Sequence, residues 1–135
     1  MDERQVDRAF KLVVEAAGMM QLHQVDEAFA TLERVRGPNL DEWPLAISEA
    51  SNQLRAAKGL AAEAEAASRL SQHESARELW QNAEAAVATA RVHGTMKRSS
   101  HVGMWRFEME DAWPTLVQAF EGYLRDRKRR ATRGA

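Results

Sequence analysis

The sequence predicts an all-α fold of five to seven helices in antiparallel hairpins, built either as a helical bundle or as a short array of similar hairpins. Three observations predict it. Apolar residues recur three or four positions apart in each long segment, the spacing of one helical face. No segment alternates apolar and polar residues with the period of two that a half-buried strand requires. The stretch from Leu60 to Arg91 is dominated by alanine and glutamate, both strong helix formers.

The first helix is expected over residues 2–22, where Val6, Phe10, Val13, Ala17 and Met20 form a stripe that Leu12, Ala16 and Met19 widen. Asp2 and Glu3 would complement the positive end of its dipole. After a polar turn at 21–24, Val25, Ala28, Phe29, Leu32 and Val35 mark a second helix, and RGPN at 36–39 ends it. Asp41 is a suitable cap for a third helix, in which Pro44 fits the first turn and Ile47, Ala50, Leu54 and Ala57 give the apolar face. Gly59 is a soft break, because an interior glycine costs only about 1 kcal/mol. Residues 44–71 therefore read as one helix or two. A turn at 71–73 leads to a helix ending near His93 and Gly94, with Ala76, Leu79, Trp80, Ala83, Val87 and Ala90 on one face. Residues 94–101 lack periodicity. The pattern resumes from Val102 to Leu124, with a kink or a new helix expected at Pro114. The domain accordingly spans 1–124, and 125–135 reads as a basic helix end grading into a flexible tail.

The bulk properties bound the function. At 135 residues the chain is one domain, long enough to bury roughly two thirds of its unfolded surface. It has no cysteine, which excludes disulfides, thiolate metal sites and cysteine nucleophiles and fits a reducing compartment. The opening residues MDERQVDRAF are acidic and polar, unlike a signal peptide, and no apolar run approaches the roughly 18 residues of a membrane span. A cytoplasmic protein without a membrane partner is the expectation. The net charge of −1 hides an asymmetry. Residues 1–90 hold nine Lys and Arg against fifteen Asp and Glu, whereas residues 91–135 hold ten against five.

A shift of 48 residues aligns Leu12 with Leu60, Glu15 with Glu63, Ala16 with Ala64, Leu22 with Leu70, Gln24 with Gln72 and Ala28 with Ala76. Small residues then stand at each helix crossing, with a large one a turn later: Ala16, Ala28 and Leu32, then Ala64, Ala76 and Trp80. Over residues 9–37 and 57–89 this resembles the tetratricopeptide repeat, a helix–turn–helix unit that stacks into a groove-bearing superhelix. The resemblance implies a protein-binding groove. The spacing departs from the period of about 34 residues usual for that repeat, and alanine replaces its first-helix glycine.

No reactive constellation emerges. His23, His73, His93 and His101 match no metal-binding pattern, so no metal or other cofactor is expected. Glu15 and Glu63 read as exposed helix formers rather than acid–base groups. No nucleophile elbow or phosphate loop is present. The sequence thus predicts a non-catalytic interaction module that binds a protein partner or its own copy through a groove or face between hairpins. Trp43, Met104, Trp105 and Met109 are the interface candidates, whereas Trp80 and Trp113 read as core. The alternative is a nucleic-acid-associated protein that grips phosphates through Arg91, Lys97, Arg98, Arg125, Arg127, Lys128, Arg129 and Arg130.

Overall fold

The computed structural model describes residues 3–35, 42–94 and 105–133, with side chains described for residues 8, 10–35, 47–92 and 112–133. The described residues form five helices and no strand: α1 (Glu3–Gln21), α2 (Val25–Glu33), α3 (Glu42–Arg69), α4 (His73–Gly94) and α5 (Trp105–Arg133). The all-α bundle read from the sequence is the observed one. The helix end expected at 36–39, the cap expected at Asp41 and all of the aperiodic stretch 94–101 except Gly94, which ends α4, lie outside the described residues.

The 48-residue echo reappears, bond for bond, in the two hairpin turns. At the end of α1, the Gln24 amide donates to the Met19 carbonyl (2.9 Å) and the His23 amide to that of Met20 (3.0 Å). At the end of α3, the Gln72 amide donates to Ala67 (2.9 Å) and the Ser71 amide to Ser68 (3.0 Å). Each is a Schellman turn, whose pivot must be left-handed to bring both amides back onto the helix end. His23 (φ 62°) and Ser71 (φ 58°) supply that pivot without glycine. Gln24 and Gln72 then open the next helix, their carbonyls accepting from Ala28 and Ala76. His23 therefore corresponds to Ser71, as the 48-residue shift implies, and His73 begins α4. Beyond the turns, the aligned pairs Ala16 and Ala64, Ala28 and Ala76, and Leu32 and Trp80 are also buried alike, but the helices differ in length. The flanking helices are 19 and 9 residues long in one hairpin and 28 and 22 in the other.

The open choice at Gly59 resolves to one helix, and no new helix starts at Pro114. Helix α3 passes through Gly59, which is exposed with open space where a side chain would stand. The cost of about 1 kcal/mol is small beside the burial of Leu54, Ala57, Ala61 and Ala64 on either side. Helix α5 likewise passes through Pro114. An interior proline costs about 3 kcal/mol, but full burial of one large apolar side chain contributes about 1.5–3 kcal/mol. Trp113, Leu116, Val117 and Phe120, all with no exposed surface, flank it on one helical face while Pro114 itself points to solvent.

The register of charged pairs fixes helix direction. Lys58 pairs with Asp26 and Arg55 with Glu33, so α2 and α3 are antiparallel. Arg91 pairs with Glu121 and Lys128 with Glu84, so α4 and α5 are antiparallel. Consequently α3 and α5 run in parallel. One core unites all five helices, and α5 packs against α1, α3 and α4. Its Phe120 meets Phe29 of α2 edge to face at 5.7 Å, and its Trp113 indole donates to the Ala90 carbonyl of α4 at 3.0 Å. The face between the hairpins, where the sequence seats a partner, is thus covered by the chain's own last helix.

Candidate functional site

The site follows from unequal helix lengths. The α1–α2 turn reaches only as far as Tyr123, whose ring lies 6.1 Å from that of His23. Helix α5 continues another ten residues to Arg133, about 15 Å at 1.5 Å per residue. Beyond the turn, the parallel ends of α3 and α5 are left with a crease between them, of about 430 Å³, lined by Glu65, Ser68, Arg69, Tyr123, Arg127 and Arg130, with Ala131 beside them. A second hollow of about 410 Å³ lies between α4 and α5, with Trp80, Val87 and Leu124 beneath a rim of Glu84, Glu121, Arg125 and Lys128.

Within the crease, Arg127 is the anchored cation. Its Nε lies 2.6 Å from Glu65 Oε1 in an ion pair. Its other end donates to the Tyr123 hydroxyl, and the guanidinium lies 5.3 Å from the centre of that ring. Burial works against its charge, but the contacts with Glu65 and Tyr123 outweigh burial and raise its pKa. Arg69 and Arg130 are exposed and have no counter-ion among the described residues. Because Tyr123 Oη accepts from Arg127, its own proton is free to be donated. The Ser68 hydroxyl is likewise uncommitted.

The structure divides the cations that the sequence groups together. Arg91 is paired with Glu121, Arg127 with Glu65 and Lys128 with Glu84 (3.1 Å). Arg125, Arg129 and Arg130 have no partner among the described residues. Lys97, Arg98 and Met104 lie outside the described residues. Trp43 is the second residue of α3, Trp105 the first of α5 and Met109 the fifth, all in backbone whose side chains are outside the described set. Trp80 and Trp113 are core residues, as expected. Arg69, Ser68 and Tyr123 escaped the sequence reading. The i, i+4 spacing of Tyr123 and Arg127 was the one local hint; the approach of α3 is tertiary.

Among the described residues no three His, Asp or Glu side chains are grouped to hold a metal ion, and no helix is long and apolar enough to cross a membrane. No family model matches the chain, and neither the curated proteins nor the solved structures contain a match to it.

Proposed function

We propose that this chain is a non-catalytic protein–protein interaction module, an adaptor or accessory subunit of the cytoplasm, and that the outer end of α3 and α5 is its docking surface. One observation carries the reading. The core is closed by α5, yet at this end unpaired cations stand beside exposed aliphatic side chains. Leu70 follows Arg69 and is 69 % exposed; Leu22, 72 % exposed, precedes His23, whose ring meets that of Tyr123. Aliphatic surface interleaved with arginine is the composition of a protein interface, where burial supplies affinity and charge supplies register. Trp43, Met104, Trp105 and Met109 remain proposed contacts; since α3 and α5 are parallel, Trp43 and Trp105 begin their helices at the opposite end of the bundle.

A second reading rests on Arg125, Arg129 and Arg133. They recur every four residues on the exposed side of α5 without partners among the described residues, a short strip that would suit a phosphate backbone. One experiment separates the two. The full chain is used to capture partners from a native lysate with and without nuclease, the captured protein is purified and recombined, and self-association is measured by light scattering. A nuclease-resistant complex that re-forms from purified components, or a concentration-dependent oligomer, supports the first reading. Capture that vanishes with nuclease overturns it in favour of the second. A chain that stays monomeric and binds no purified candidate overturns it outright.

A further inference from the structure

We propose that the crease between α3 and α5 is a carboxylate-binding pocket, and that its occupant is a single acidic side chain of a protein partner. This rests on the interaction-module reading and names the chemistry of its contact. The four charged residues lining the crease are one glutamate and three arginines, an excess of two positive charges. Glu65 Oε1 is shut off from solvent against Arg127, so its charge is spent within the fold. The C-terminal ends of the parallel helices α3 and α5 both lie here, and each offsets about half an elementary charge. Roughly one positive charge is left over, matching a monoanion rather than a phosphate dianion.

The donors match as well. Arg69 and Arg130 face the crease from opposite helices, each a planar fork suited to the two oxygens of a carboxylate. The Tyr123 oxygen accepts from Arg127, which leaves its O–H to donate into the crease, and Ser68 offers a second hydroxyl on the α3 wall. Arg127 itself is held in place by Glu65 and by the Tyr123 ring, so the floor is organised before a ligand arrives. A nucleic-acid backbone would instead need cations in a continuous line. Here Arg91 and Lys128 are paired with Glu121 and Glu84, and the arginines at 125, 129 and 133 make only a short strip outside the crease.

The test is a titration of the isotopically labelled full chain at 50 mM salt, followed by amide chemical shifts. The probes are a capped five-residue peptide with one glutamate among alanines, the same peptide with glutamine, inorganic phosphate and a thymidine hexanucleotide. The glutamate peptide should give saturable shifts centred on Ser68, Arg69, Tyr123 and Arg130, and the glutamine peptide none. Arg69→Gln with Arg130→Gln should weaken binding at least tenfold. The charge-matched pair Arg125→Gln with Arg129→Gln, outside the crease, should stay within twofold of wild type. All four arginines are exposed or at the surface, and an unchanged thermal midpoint confirms that the variants fold. Equal loss in both pairs would reduce the effect to diffuse charge and overturn the pocket. So would tighter binding of phosphate or the hexanucleotide, or no saturable shift with the glutamate peptide. A partner captured equally well by the Arg69→Gln, Arg130→Gln chain would sink the pocket while leaving the interaction module standing. Loss of capture by wild type would remove the module itself.

Discussion

The two hairpins reverse direction by the same turn and fill their interiors by opposite means. Helices α1 and α2 bury bulky side chains, among them Leu12, Val13, Met20, Phe29 and Leu32. Helices α3 and α4 bury mainly alanines, at 57, 61, 64, 67, 76, 83 and 90, with Ile47, Leu54, Trp80 and Val87 as the larger buried side chains. Both turns nevertheless make the same pair of returning hydrogen bonds around a left-handed pivot. The turn therefore sets the reversal, and side-chain size sets how closely the helices then run. Each buried methyl group contributes only about 0.8 kcal/mol, so an alanine seam must be long to stabilise a hairpin. That accounts for helices of 28 and 22 residues in the second pair against 19 and 9 in the first. The surplus length carries α3 past the first turn and creates the crease.

The largest effects that would break this contrast come from exchanging the two kinds of interior. Leu32→Ala should destabilise the protein by about 2–5 kcal/mol, because α2 is short and cannot collapse onto the void. Ala64→Leu should destabilise by about 1–3 kcal/mol through overpacking of a seam in which Ala64 has no exposed surface. Urea unfolding midpoints measure both. A stabilised Ala64→Leu protein would show that the second hairpin holds unfilled space, and the distinction between bulk and close approach would fail.

Much of this architecture was legible in the sequence because periodicity reports burial directly. The stripe Ile47, Ala50, Leu54, Ala57 predicted the buried face of α3, and the second stripe placed Trp80 in the core. What periodicity does not report is how the free energies of a breaker and its neighbours compare. Gly59 left residues 44–71 as one helix or two, and Pro114 read as a kink or a new helix; each lies on the solvent side of a helix that continues past it and whose other side is buried. The candidate site was less legible still. A run of arginines shows no difference between Arg127, held by Glu65 from 62 residues away in the chain, and Arg130, which has no counter-ion among the described residues. Nor does it show that Arg69 belongs beside them. Only the relative lengths of α1, α3 and α5 determine that.

A smaller effect separates the two turn pivots. A non-glycine residue in the left-handed region is held there at a cost of roughly 1 kcal/mol, and glycine relieves it at some expense in chain entropy. Ser71 is exposed, so Ser71→Gly should stabilise by about 0.5 kcal/mol, seen as a thermal midpoint higher by about 2 °C for a chain of this size. His23→Gly should gain less or lose stability, because it also removes the ring that meets Tyr123. Equal gains at both sites would mean that the His23–Tyr123 contact contributes nothing to holding the first turn against α5.

The smallest difference lies one helical turn further on. Asp26 and Glu74 occupy equivalent positions in the two second helices, but only Asp26 is tied to another element, through Lys58 of α3. The hydrogen bond and charge of that lysine hold the Asp26 carboxyl below its ordinary value of 3.8. A carboxyl whose pKa is lower in the folded state stabilises the fold fully above its unfolded value, and loses that contribution as pH falls through the folded one. The pair should therefore support the α2–α3 contact in full above about pH 5 and fade below pH 3.8. Since Asp26 is fully solvated, the effect is small and salt-sensitive. The other carboxyls titrate over the same range, so the informative quantity is a difference. Urea midpoints of wild type and Lys58→Met should be separated at pH 6 and converge by pH 2.5, whereas Glu74→Gln should track wild type throughout. A Lys58→Met protein that follows wild type at every pH would mean that the Asp26–Lys58 pair contributes nothing measurable, and that α2 is held to α3 by Arg55 and apolar packing alone.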